Sequence, residues 1–400
     1  MGRSLVSLVV VGAALMVGGC DEAASPEVDG LELDIEAAEE VVGPMAYDED
    51  LDDYVAVGDY DEGKVLNYIK GKHLFEKETF DGNGRTCVTC HTRETGKLSP
   101  DEIQALWDED PSHPIFRALD SDEGLGASYD RLRTMGTIRV GVDLPDNVTL
   151  VDDPNQRKVV FNRGIPSTLD TPALDPVLMY DGRQPDLASQ ANGAIHDHAA
   201  PGREPSAEEL DLIAAFQQTF SFYSSIRTFI YAKGGPAPHL PQGKTESEKR
   251  GREWFVDSPT GLCSHCHSGP MLNQTNEFLF LPLAPGSRFV SVAVSEFNTP
   301  QNPVYTFAFA NPEDPNDPIL VQSADPGRAL ITGDPADANT FKIPSLRGLS
   351  KRGGPYFHDA SAKTLEDVTD HYAAYFALPP ANLVLTEQEK ADITAYMKLL

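Results

Sequence analysis

The sequence predicts a mostly α chain built as one plan used twice in tandem, with long loops and minor β content. Three observations predict it. The motif C-x-x-C-H occurs twice, as Cys87-Val-Thr-Cys-His91 and as Cys263-Ser-His-Cys-His267, and together the copies use four of the five cysteines. A short helix-like stretch with a glycine and an aromatic residue precedes each copy: Gly71-Lys-His-Leu-Phe75 and Gly251-Arg-Glu-Trp-Phe255. A capping box opens an apolar-periodic helix after each copy, Ser206-Ala-Glu-Glu209 before Leu212 to Phe216, and Thr386-Glu-Gln-Glu389 before Ile393 to Tyr396.

The elements follow in order. Residues 1–20 read as a signal peptide: Arg3, a short apolar run, then Val17-Gly-Gly-Cys20. Small residues before Cys20 resemble the lipobox of bacterial lipoproteins, so Cys20 is the expected lipidation site. The run is too short to read as a spanning helix. Residues 21–62 hold seventeen Asp and Glu and no Lys or Arg, more than half of the net charge of −30. Such a run is expected to be a disordered acidic tether; the alternative is a docking arm for a basic partner. The acidity excludes nucleic acid as a partner.

Residues 63–232 form the first domain. Its opening helix spans 63–76, and an insertion at 92–161 follows the motif. Within it, Thr137–Val142 and Arg157–Phe161 alternate in polarity and are expected to pair as a small hairpin. Residues 233–247, rich in Gly and Pro, read as a linker without secondary structure, with His239 solvated. Residues 248–400 form the second domain, in which 276–322 is expected to be irregular loop with little strand.

C-x-x-C-H is the attachment signature of a c-type haem. Two thiols form thioethers to the porphyrin, and the adjacent histidine reaches the iron. Two covalent haems are therefore expected, through Cys87, Cys90, His91 and through Cys263, Cys266, His267. The competing reading is a four-cysteine zinc ribbon. It explains the paired cysteines but not a histidine after each pair. Export fits haem attachment, which takes place outside the bacterial cytoplasm.

From about residue 63 to residue 400 the order of motifs resembles the bacterial dihaem cytochrome c peroxidase superfamily, which includes the MauG enzymes. The resemblance rests on Ile165-Pro-Ser-Thr-Leu169, Tyr180-Asp-Gly-Arg183, Gly333-Asp-Pro-Ala-Asp337, Phe341-Lys-Ile-Pro-Ser-Leu-Arg347 and Gly354-Pro-Tyr-Phe-His-Asp359, with Cys263 to Pro270 in the family's form of the second motif. It implies two tandem cytochrome c-like domains, with His91 the proximal ligand of a peroxide-side haem and His267 that of an electron-transfer haem. It implies Tyr372 as second axial ligand of the latter, where peroxidases of the family have Met and the MauG branch Tyr; His371 is the rival if the register slips by one. Tyr180 falls where the family has a relay tryptophan. The family's distal glutamate has no counterpart in Gly193-Ala-Ile-His-Asp-His198. His196 or His198 could do its proton work or ligate the iron, with Asp197 orienting a neighbour. On the loop after the first motif, His113 and Met135 are the candidates for a distal ligand. A calcium ion between the domains is a candidate through Gly353 and Pro355 carbonyls and Asn162; the family's asparagine position itself falls at Gly164.

The function expected from this resemblance is reduction of hydrogen peroxide. Electrons come from a small redox protein such as a cytochrome or cupredoxin and pass from the C-terminal to the N-terminal haem. The alternatives are a non-enzymatic dihaem carrier and a MauG-like oxidase acting on a protein partner. The expected location is periplasmic, with a lipid anchor.

Overall fold

The computed structural model describes residues 45–48, 53–56, 62–297 and 302–400; the signal peptide, Cys20 and most of the acidic stretch lie outside them. The duplicated plan appears as two pairs of crossing helices. In the first half the opening helix α1 (Glu62–Glu76) packs against the closing helix. In the second the same role falls to Glu246–Arg252 and Glu387–Met397. Between them in sequence come α2 (Pro100–Glu109), α3 (Leu187–Ala194) and the first closing helix, α4 (Ala207–Phe216). The second opening helix is α5 and its closing helix α7, preceded by α6 (Leu365–Ala377).

A glycine at each crossing lets the helix axes approach. A Cβ on Gly71 would collide with the Leu212 carbonyl and stand 2.9 Å from Phe216 Cβ. A Cβ on Gly251 would collide with the Asp392 carbonyl and stand 2.8 Å from Tyr396 Cβ. The aromatic residue four positions later closes each crossing, with Phe75 and Phe216 centroids 5.5 Å apart and Phe255 and Tyr396 5.2 Å apart. The predicted capping boxes form at both closing helices, where Ser206 accepts from Glu209 N and Thr386 from Glu389 N. Each cap contributes about 1 kcal/mol. Two apolar clusters grow around these crossings, one including Phe75, Ile213 and Phe216, the other Phe255, Ile393 and Tyr396.

A third apolar cluster belongs to the insertion. The expected hairpin forms as β3 (Thr137–Asp143) antiparallel to β5 (Lys158–Gly164), in register from Thr137 opposite Gly164 to Asp143 opposite Lys158. Between them β4 (Val148–Leu150) leaves to pair with β7 (Tyr305–Phe309), which pairs with β8 (Ile319–Ser323). Phe161, Phe307 and Phe309 are fully buried there. This sheet joins strands from both halves of the chain. The loop 276–322 is therefore more ordered than its Pro and Asn content predicts, because β4 supplies a partner from the other half.

Two further departures concern the connections. Met45–Asp48 (β1) and Asp53–Ala56 (β2) pair as an antiparallel hairpin inside the stretch expected to be an unstructured tether. The 233–247 connection has neither helix nor strand before Glu246, yet it is held. The Arg347 guanidinium donates to the carbonyls of Pro238 and His239, and the Tyr396 hydroxyl to that of Pro241 at 2.8 Å. His239 is exposed, as predicted.

Candidate cofactor chamber

Each C-x-x-C-H motif folds as a tight turn that returns its histidine over its first cysteine. His91 N–H donates to the Cys87 carbonyl at 3.1 Å and His267 N–H to that of Cys263 at 2.9 Å. Each ring is then held by the carbonyl five residues on. His91 Nδ1 lies 2.9 Å from Gly96 O, and His267 Nδ1 lies 2.9 Å from Leu272 O. A carbonyl can only accept, so each Nδ1 carries the proton and each Nε2 presents its lone pair. Burial lowers both basicities, His267 to about 4. The imidazoles are neutral, the form that ligates a metal.

No disulfide joins the four cysteines of the two motifs. Burial raises them, Cys87, Cys263 and Cys266 to about 12 and Cys90 to about 11, so they stay protonated. Among the described residues no group of three or more His, Cys, Asp or Glu side chains could hold a metal ion. The cysteine pairs do not converge, which overturns the zinc-ribbon alternative. Instead both motifs line one continuous cavity of about 3140 Å³, including space open to solvent. Protein interiors hold few voids larger than a water molecule. The cavity is largely apolar and its wall carries two Cys-Cys-His sets, the residues that two covalently held planar macrocycles would use.

At the first end, a π-helical turn, Ile195–Ala199, continues α3 and divides the His-Asp-His segment. His198 lines the chamber, and its Nδ1 is buried without a hydrogen-bond partner. Burial lowers its basicity, against the pull of Asp120 and Asp197. His196 turns outward instead. It is 40% exposed, with Nδ1 on Asn192 O and Nε2 2.9 Å from Glu204. Two residues, about half a helical turn, separate the two rings and send them to opposite sides. The carbonyl of His198 receives Asn83 Nδ2 at 2.9 Å and Arg85 Nη1 at 3.4 Å. Arg85 in turn makes a buried ion pair with Asp120 at 2.5 Å. Sequence reasoning missed this pair; neither residue stands in a motif. His113 and Met135 do not line the chamber; His113 packs on Phe116.

Tyr180 lines the middle of the chamber, its carbonyl held by Lys342 N at 2.7 Å and its ring 6.5 Å from that of His358. Burial and nearby Asp359 push its phenol well above the ordinary range. Beneath it Arg163 bridges Asp181 at 2.5 Å and Asp325 at 2.7 and 2.9 Å, all three fully buried. Arg183 adds a second cation to Asp181 at 3.0 Å.

At the second end, α6 places Tyr372 in the chamber wall, its phenol raised by burial and by Cys266 and Cys263. His371 faces elsewhere, with Nε2 2.8 Å from Val292 O and its ring 4.6 Å from Phe357. The helical register thus gives Tyr372, not His371, to the cavity.

Of the calcium candidates, Gly353 and Pro355 line the chamber wall. Pro355 O receives Lys97 Nζ at 2.6 Å. Asn162 lies outside the chamber wall, its backbone N–H on Asn302 Oδ1 at 2.6 Å. Gly164 N–H donates to His358 O at 2.8 Å and offers no side chain.

No protein-family model matches the chain. Among curated proteins it is 25% identical over 255 residues to the cytochrome-c peroxidase IdrP1 of Denitromonas iodatirespirans, covering 56% of this chain and 64% of the relative. It is 36% identical over 74 residues to the cytochrome c551 peroxidase of Nitrosomonas europaea, covering 18% and 21%. It is 27% identical over 177 residues to the hydrazine synthase subunit gamma of Kuenenia stuttgartiensis, covering 42% and 44%. The chain thus spans less than two thirds of the length of the curated relatives it matches. Among solved structures, a MauG-like protein associated with microbial copper homeostasis is 21% identical, with a TM-score of 0.47 and 83% and 87% of the two chains covered. Both Cys-x-x-Cys-His motifs stand in the wall of one cavity, the residue set that a covalently attached haem uses. Over part of its length the chain is thus similar to cytochrome-c peroxidases.

Proposed function

We propose that this chain is an exported dihaem c-type cytochrome that reduces hydrogen peroxide to water. Two electrons from a small redox protein and two protons convert each peroxide to two waters. Cys87 and Cys90 hold one haem and Cys263 and Cys266 the other through thioethers, with His91 and His267 as proximal ligands. Bound there, the haems supply one-electron redox chemistry, the C-terminal one receiving electrons and the N-terminal one meeting peroxide. The observation that carries the reading is the single chamber with both motifs in its wall and each histidine held through Nδ1.

The protein's own part is proton handling and orientation. His198 is neutral at pH 7, since burial keeps it from charging. It takes a proton from the near peroxide oxygen at Nε2 and returns it to the far one, so that water leaves. The Arg85–Asp120 pair fixes its turn. Tyr180 would stand between the two haems, and Tyr372, in the wall near Cys263 and Cys266, would be the residue to hold the electron-entry haem opposite His267. That ligand favours a second reading, a MauG-like oxidase of a protein partner, since a phenolate stabilises oxidised iron better than Met does. The expected location is the periplasm, with a lipid on Cys20; among the described residues no helix is long and apolar enough to cross a membrane.

The test is intact mass together with peroxide turnover on protein produced with haem maturation in the periplasm. Mass should show two haems per chain, and Cys87→Ala/Cys90→Ala should remove one of them. Peroxide should be consumed with a reduced cytochrome or cupredoxin as donor. Two haems without peroxide consumption would leave a carrier and end this reading.

A further inference from the structure

The seam between the two halves runs past the loop that carries the first proximal histidine. Gly96 O receives His91 Nδ1 at 2.9 Å and Thr168 N–H at 3.0 Å, and Leu98 N–H donates to Cys90 O at 3.0 Å. Lys97 stands between these two anchors and reaches across to the other half of the chain. Its ammonium donates to Pro355 O at 2.6 Å and lies 5.7 Å from the centre of the Tyr356 ring. Only 7% of the residue is exposed. Among the described residues the ammonium has no carboxylate within 4.0 Å; its contacts are the Pro355 carbonyl and the Tyr356 ring.

Pro355 O is one of the carbonyls expected to bind an interdomain calcium ion. A calcium ion at about 2.3–2.6 Å from that oxygen would stand no more than about 5 Å from the ammonium nitrogen. Calcium also needs six to eight oxygens. Of the other candidates, Gly164 has no side chain to give, and Asn162 meets Asn302 through its backbone N–H and carbonyl. Arg352 lines the same stretch; it bonds Ser345 O in its own half, and across the seam it bonds Leu169 O and pairs with Asp170 at 3.5 Å. An ammonium seated on the Pro355 carbonyl, where a calcium ion would have to bind, is the reverse of a calcium site.

We infer that Lys97 is a built-in cation that takes the place of a divalent ion at this seam, tying the His91 loop to the Pro355 loop and leaving the protein calcium-independent. The inference concerns how the halves are held and does not depend on the reaction.

The test uses the full holoprotein. Metal analysis after exchange into calcium-containing buffer should find well under one calcium per chain, and the thermal midpoint should be the same with calcium and with a chelator. Lys97→Met should lower the midpoint by several degrees, with calcium giving no rescue, while Lys97→Arg should retain most of it. Stoichiometric calcium, or a midpoint that falls with chelator, would overturn the inference, and that arm stands even if Lys97→Met fails to fold. An unchanged midpoint in Lys97→Met would overturn it as well.

Discussion

Replacing Arg163 with Leu probes the joint on which the chamber is hung. Arg163 sits in β5, Asp181 follows Tyr180 directly, and Asp325 lies just past β8. Three hydrogen bonds of 2.5–2.9 Å join them, and no side chain in the triad is more than 2% exposed. Removing the guanidinium affects the two carboxylates unequally. Asp181 keeps Arg183 at 3.0 Å, whereas Asp325 keeps a backbone N–H from Gly327 at 3.0 Å and His358 at 4.0 Å. Breaking a buried pair from one side costs about 3–5 kcal/mol, because a charge is left desolvated. For a chain of this size that corresponds to roughly 4–6 °C in the thermal midpoint. Circular dichroism and the haem absorbance should report the same drop. Arg163→Leu with Asp181→Asn and Asp325→Asn should recover part of it, since no unpaired charge remains. A single variant within about 1 kcal/mol of the parent would refute the reasoning, because it would mean the carboxylates are solvated or neutral without the arginine.

Other outcomes follow from the same geometry. His198→Ala should lower peroxide turnover by about 10²–10⁴-fold, while His196→Ala, whose ring is turned to solvent, should leave it within a factor of two or so; steady-state assays of both distinguish them. Tyr372→Phe should shift the spectrum and potential of one haem, while His371→Leu should alter stability but not that spectrum. Gly251→Ala should destabilise the second half by about 1–3 kcal/mol, since its Cβ meets the Asp392 carbonyl. Asp181 titrates below the usual carboxylate range, since Arg163 and Arg183 outweigh the upward push of burial. Its folded value lies below its unfolded one, so its contribution is complete above about pH 4 and is lost as pH falls through the folded value. Acid unfolding of Asp181→Asn should therefore lack that component.

The repeat was readable because each copy carries the same local signals: a glycine where helices cross, a capping box, and a motif that needs one tight turn. Periodicity also found the β3–β5 pairing, whose strands are adjacent in sequence and alternate cleanly. What it did not find depends on residues far apart. Nothing near 305–323 announces that β4 lies beside it, so the sheet joining the halves read as loop. Arg85, Lys97 and Asp325 act through partners 35, 258 and 162 positions away, beyond any window over which spacing is informative. The choices between His196 and His198 and between His371 and Tyr372 turned on helical phase. One residue of phase decides which side chain faces the chamber, and composition is blind to it.

The central claim is most directly tested by mixing the fully reduced holoprotein with hydrogen peroxide and following the haem absorbance in a stopped-flow instrument. The account predicts that one peroxide oxidises both haems of a chain, one electron from each, and that His198→Ala slows this reaction without changing its stoichiometry. Two haems that stay reduced while peroxide persists would contradict it.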